Sequence, residues 1–160
     1  MINLYLHGLN STNVNDRTAW LQQYGKLFHP LVSYKNLPAT FQYLDHLVRR
    51  YRPQVIIGSS MGGYMAFHLG QYYHIPTILL NPALIMTNII KPDNRLMAGD
   101  SMHHISIGIK DEIIPPVTTK LLLNKWQIPH KIYEYDMGHE TPIETFKEVC
   151  LKSGLFKKIF

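Results

Sequence analysis

The 160-residue sequence predicts an α/β protein, a three-layer α/β/α sandwich on a mostly parallel, six-stranded sheet. Two observations carry this. Short β-branched apolar runs alternate with segments whose apolar residues recur at helical spacing, which implies right-handed crossovers and a sheet covered on both faces. Loops rich in small and polar residues follow several of the runs, at the strand ends where open parallel sheets gather their chemistry. At this length a two- or three-layer core is buried without staples, so one domain over residues 1–160 is expected.

The elements follow in order. Ile2–Leu6 is apolar without a helical period and ends at "HGLNST", so it reads as a strand and loop. Trp20, Leu21, Tyr24, Leu27 and Phe28 fall at helical spacing, a brief strand is expected over residues 32–34, and Phe41, Leu44, Leu47, Val48 and Tyr51 form the next helix face. Pro53 stops that helix, residues 55–57 form the third strand, and Met65, Ala66 and Leu69 mark the third helix. Thr77–Leu80 is the fourth strand, closed by "NPA"; residues 84–100 have no clean period and read as an excursion over one end of the sheet. The fifth and sixth strands are expected at 105–109 and 132–135, around a helix with Val117, Leu121, Leu122 and Trp126 on its face. The last helix carries a start signal, Thr141 and Glu144 as a capping box with Pro142 at the first helical position.

Composition removes several function classes. Hydrophobic residues make up 46% and charged residues 17%, a globular balance. No apolar stretch approaches the roughly 20 residues of a membrane-spanning helix, so no membrane partner is expected. The strand-like start, without a charged flank or cleavage site, reads as unexported. The single Cys150 suits a reducing compartment, hence a cytoplasmic location, and its spacing with Phe146 and Val149 suggests a buried helix face. The net charge of +5 is spread along the chain, apart from Arg49, Arg50, Arg52, Lys157 and Lys158, with no interleaved aromatics. That argues against a nucleic-acid partner and leaves mild steering of an anionic substrate. The pattern does not encode an oligomeric state.

In "IIGSSMGGYMAF", Gly58, Ser60 and Gly62 satisfy G-x-S-x-G between a strand and a helix, the context that motif requires. So tight a turn forces its central residue into a strained backbone, and side chains at the flanking positions would collide. Gly63 lets the helix approach the sheet closely. A serine hydroxyl at neutral pH needs a base, itself oriented by a third group. His139 follows the sixth strand and Asp111 the fifth, so both reach the edge that carries Ser60. The order Ser60, Asp111, His139 is that of α/β-hydrolase acyl transfer. Glu112 is the fallback acid, and Asp136 shares the histidine's loop. The backbone N–H groups of Met61 and of Leu9, with Gly8 as the bend, are the expected oxyanion donors. His7 is read as a brace for its loop, and His103 and His104 as surface or boundary residues at the far end of the sheet. No H-E-x-x-H or C-x-x-C spacing occurs, so no metal and no cofactor are expected. A phosphate loop would need lysine where Tyr64 stands, but anion binding at the helix start stays open as a rival, as does a catalytically silent binding module.

Together "YLHGLNST", "IIGSSMGGYMAF", "LLNPAL", "GIKDEIIP" and "GHE" resemble the small bacterial esterases of the YqiA type, in the α/β-hydrolase superfamily. The likeness runs from Ile2 to the last helix. It implies Ser60 as nucleophile, Asp111 as acid, His139 as base, Leu9 and Met61 as oxyanion donors, and a six-stranded core with a minimal lid. It further implies a small-molecule ester or thioester as substrate. With little lid, the site should favour short or exposed acyl groups, and Met86, Ile89, Ile90, Leu96 and Met97 either line a modest acyl pocket or pack on the sheet.

Overall fold

The structure, a computed structural model, describes residues 1–86 and 101–157. Strands β1 (Ile2–Leu6), β2 (Lys26–Phe28), β3 (Val55–Ser59), β4 (Thr77–Leu80), β5 (His103–Gly108) and β6 (His130–Tyr135) form one sheet in the order β2-β1-β3-β4-β5-β6. All five neighbouring pairs are parallel. Helices α1 (Asp16–Leu21), α2 (Leu37–Tyr51), α3 (Met61–Tyr73), α4 (Pro116–Trp126) and α5 (Ile143–Lys152) cover it.

The period-two geometry of each strand divides its apolar residues between two cores. Leu4, Leu6, Ile56, Leu79, Ile105 and Ile107 pack with Leu44 and Val48 of α2, the buried face of α3 and Leu123 of α4. Tyr5, Val55, Ile57, Ile78 and Leu80 pack on the opposite face with Leu21 of α1 and with Phe146, Val149 and Cys150 of α5. The expected three layers result, and Cys150 lies on the buried helix face read from its spacing.

Four local expectations are corrected. Trp20 to Phe28 is not one helix. Asn15 caps α1, accepting from the Arg17 and Thr18 amides, and a 3-10 turn over Gln22–Tyr24 leads into Gly25. Gly25 takes φ 132°, with the Met1 carbonyl 2.3 Å from where a Cβ would stand, and this bend sends Leu27 and Phe28 into β2 beside β1. Residues 32–34 form no strand, because the Val32 amide donates to His7 Nε2 (2.9 Å) and the Tyr34 hydroxyl to the His7 carbonyl (2.5 Å). On α4 the inward row is Thr119 and Leu123, with Leu122 and Trp126 half-buried beside it. Val117 and Leu121 start two residues earlier, about 200° round the helix, and are exposed. Finally, α5 has Pro142 itself as its N-cap and no capping box. The Thr141 hydroxyl faces the Asn81 amide (3.4 Å), and Glu144 pairs with Lys147 (2.9 Å).

His103 and His104 are strand residues and buried, not surface ones. His103 Nε2–H donates to Gln71 Oε1 and its Nδ1 accepts from the Thr77 hydroxyl, both at 2.7 Å, which joins α3, β4 and β5. Met86 packs against the α2–α3–α4 core, whereas Ile89, Ile90, Leu96 and Met97, with most of the predicted excursion and the minimal lid, lie outside the described residues.

Candidate active site

The turn from β3 into α3 is fixed by backbone sterics. A Cβ on Gly58 would stand 2.3 Å from the Gly62 carbonyl oxygen, and one on Gly62 would stand 2.2 Å from that of Leu6. No real Cβ tolerates such distances, so glycine at both positions is required by packing. At Gly63 a Cβ would meet Pro82 at 2.9 Å, so this glycine admits the β4 loop. Between them Ser60 adopts φ 53°, ψ −113°, a region that L-residues avoid at a cost of about 1–3 kcal/mol. Three hydrogen bonds hold it there. The Ser60 amide donates to the Leu80 carbonyl (2.9 Å), and the Ser60 carbonyl accepts from the Tyr64 and Ala83 amides (both 3.0 Å).

The serine, histidine and aspartate expected from sequence come together. Ser60 Oγ lies 2.9 Å from His139 Nε2, and His139 Nδ1 lies 2.8 Å from Asp111 Oδ2. A carboxylate only accepts, so Nδ1 carries the proton and Nε2 is left to accept from the serine hydroxyl. The Asp111 side chain is fully buried, its Oδ1 accepting from the Ile113 and Ile114 amides (2.9 Å each). Glu112 is exposed, and Asp136 forms an exposed ion pair with Lys110 (2.7 Å), so neither alternative acid faces the imidazole.

The loop after β1 closes the other side. A Cβ on Gly8 would stand 3.4 Å from Ser60 Cβ, which brings the Gly8–Leu9 backbone against the serine. His7 is buried, its Nδ1–H donating to the Gly8 carbonyl (2.7 Å) while Nε2 accepts from Val32. Both ring nitrogens are thus used in holding the loop, as expected of a brace. Met61 opens α3, whose first amides have no acceptor within the helix. Leu9, 58% exposed, lines a cleft of about 380 Å³ together with Ser60 and His139. Its remaining walls are mostly polar: Ser11, Asn15, Asp16, Arg17, Glu140 and Thr141.

Two residues here escaped the sequence reading. Asn81, buried at the end of β4 with φ 42°, accepts from the Gly108 amide through Oδ1 (2.8 Å) and donates through Nδ2 to the His139 carbonyl (2.7 Å). It joins the end of β5, three residues before Asp111, to the loop that carries His139. Its only signal in sequence is an asparagine before proline at a strand end. Arg17 lines the cleft from α1 and carries no local signal at all. Among the described residues, no three side chains converge as metal ligands, and no helix is long and apolar enough to cross a membrane.

Residues 2–96, more than half of the chain, match the model of Uncharacterised protein family (UPF0227). The chain belongs to that family. It is the YqiA-type group that the motifs suggested. Solved structures agree on the fold. A protein assigned as a hydrolase of the alpha/beta superfamily from Xanthomonas campestris pv. campestris superposes with a TM-score of 0.73 at 18% identity, over 96% of each chain. The monoacylglycerol lipase of Paleococcus ferrophilus matches with a TM-score of 0.73 at 12% identity, over 96% of this chain and 93% of that one. Est1E from Butyrivibrio proteoclasticus gives 0.72 at 12% identity, over 96% and 86% respectively. At these identities the likeness establishes a shared α/β-hydrolase architecture.

Proposed function

We propose that this protein is a serine hydrolase that cleaves small carboxylic esters or thioesters through an acyl-enzyme. The observation that carries the reading is the unbroken relay from Ser60 Oγ to His139 to buried Asp111, mounted on a strained turn at the carboxyl edge of the sheet. In the proposed reaction His139 Nε2 takes the hydroxyl proton as Ser60 Oγ attacks the acyl carbon. Asp111 holds the Nδ1–H tautomer and stabilises the imidazolium. The amides of Met61 and Leu9 receive the oxyanion, a contribution of about 3 kcal/mol per donor in comparable sites. His139 then hands its proton to the departing alcohol or thiol, and water activated by the same imidazole releases the acid.

Support for small substrates comes from the cleft, about 380 Å³ and mostly polar in its lining. Support for an ester comes by analogy from neighbours that bear lipase and esterase names. A cytoplasmic setting is proposed from Cys150, the chain's one cysteine, whose thiol is buried and pushed up in pKa by that burial.

The test is a panel of 4-nitrophenyl esters and acyl thioesters with wild type and Ser60→Ala, joined to fluorophosphonate labelling. Wild type should label rapidly and turn over short acyl groups, and Ser60→Ala should lose ~10³-fold or more in kcat with no labelling. A wild-type protein inert to both reagents would leave the fold as a silent binding module.

A further inference from the structure

The cleft that holds Ser60 and His139 also holds one guanidinium. Arg17 is half-buried, and among the described residues no carboxylate lies within ion-pair distance of it. Neutral groups hold it instead. Nη2 donates to the Thr141 carbonyl (2.7 Å), Nη1 faces the Tyr5 hydroxyl (3.4 Å), and the guanidinium carbon lies 5.8 Å from the centre of the Phe146 ring. Its charge reaches the buried Cys150 thiol, where it partly offsets the upward push of burial. Two contacts leave most of the five N–H groups of a guanidinium without an acceptor among the described residues.

A staple between α1 and the start of α5 would need only neutral donors. A half-buried positive charge with no counter-ion among the described residues costs desolvation that neutral acceptors and one ring face recover only in part. Asp16 and Glu140 share the cleft, but both are exposed, so water screens them more than it screens Arg17.

Resting on the hydrolase reading above, we infer that Arg17 is an anion subsite, and that the natural ester carries a carboxylate or phosphate group within reach of it. The planar fork suits either anion, and Ser11 adds a hydroxyl to the lining of the same cleft. The substrate class is then a short acyl ester with one anionic end, cleaved at the carbonyl nearer Ser60.

The experiment compares 4-nitrophenyl hemisuccinate with its neutral methyl ester on wild type, Arg17→Gln and Arg17→Lys. Wild type should favour the charged ester in kcat/KM, mainly through KM. Arg17→Gln should lower the charged-to-neutral ratio by about 10- to 100-fold, and Arg17→Lys should restore part of it. A ratio unchanged in Arg17→Gln, with both esters falling together, would make Arg17 a staple and overturn the inference. In parallel, ligand-observed NMR titrations of succinate and of inorganic phosphate on Ser60→Ala, with and without Arg17→Gln, tell carboxylate from phosphate. Anion binding that weakens when Arg17 is replaced supports the subsite, and binding that ignores the replacement refutes it. Since these titrations need no turnover, a protein that hydrolyses nothing would end the hydrolase reading while Arg17 is still decided.

Discussion

At Asp111 the two carboxylate oxygens divide their roles: Oδ1 fastens the turn by accepting from the Ile113 and Ile114 amides, and Oδ2 accepts a hydrogen bond from His139 Nδ1–H. Asp111→Asn keeps an oxygen for the turn but offers an N–H to Nδ1, driving the imidazole to the tautomer that cannot accept from Ser60. We expect kcat for 4-nitrophenyl acetate to fall ~10⁴-fold while the Tm stays within a few degrees. Wild-type turnover in that variant would remove Asp111 from the relay. The glycines make a contrasting pair of predictions. At Gly62 a Cβ is trapped between the Leu6 and His7 carbonyls (2.2 and 2.5 Å), and at Gly138 its nearest neighbour is 4.0 Å away. Gly62→Ala should cost about 3 kcal/mol in urea unfolding and Gly138→Ala less than about 1 kcal/mol. Equal costs would show that the serine turn has more room than its geometry indicates. The glycine requirement was legible in the motif. Strand position alone favours Asp111 over Glu112 and Asp136, and the burial that brings Asp111 to His139 is not a local property.

Between elements, the decisive contacts run through Asn81. It spans from β4 to the ends of β5 and β6, and its backbone N–H also donates to the Ser106 carbonyl (2.9 Å). Asn81→Gly removes the amide while leaving φ 42° free of strain, so it isolates the side chain. We expect kcat to drop at least about tenfold, fluorophosphonate labelling to slow in step, and stability to fall by about 1–3 kcal/mol as the Gly108 amide loses its acceptor. Unchanged labelling in a destabilised variant would reduce Asn81 to a structural link. Helical spacing located α2 and α3, and short apolar runs without a helical period located β1, β3 and β4, because those signals live within a few residues. It failed between Trp20 and Phe28, where Gly25 turns an apparently periodic run into a strand by pairing it with β1. The Thr141 capping signal failed for a similar reason, as Asn81 meets the hydroxyl that would have capped α5.

Across the molecule, buried histidines couple stability to pH, and burial lowers His104 in the same direction as His68 and His103. Burial lowers His68 from 6.5 to about 4 and His103 from 6.5 to about 3. Both therefore stay neutral in the native state where an exposed imidazole in the unfolded chain takes a proton. Their contribution is complete above pH 6.5 and is lost as pH falls toward those values, at up to ~1.4 kcal/mol per pH unit for each. Urea midpoints measured from pH 7.5 to 4.5 should decline accordingly. Among the described residues His68 has both ring nitrogens buried without a hydrogen-bond partner, and it packs edge-on against Tyr64, so His68→Leu should flatten the slope by up to one proton at little cost. An unaltered slope would assign the pH dependence to other groups.

By itself the sequence determined the succession of strands and helices, the parallel sheet they imply and the serine turn, because each rests on sterics and periodicity within a short stretch of chain. Only the tertiary structure decided what meets at that turn. The bonds Ser60–His139, Asn81–His139 and Arg17–Thr141 span 79, 58 and 124 residues, and no local pattern encodes which distant residue a side chain ends within 3 Å of.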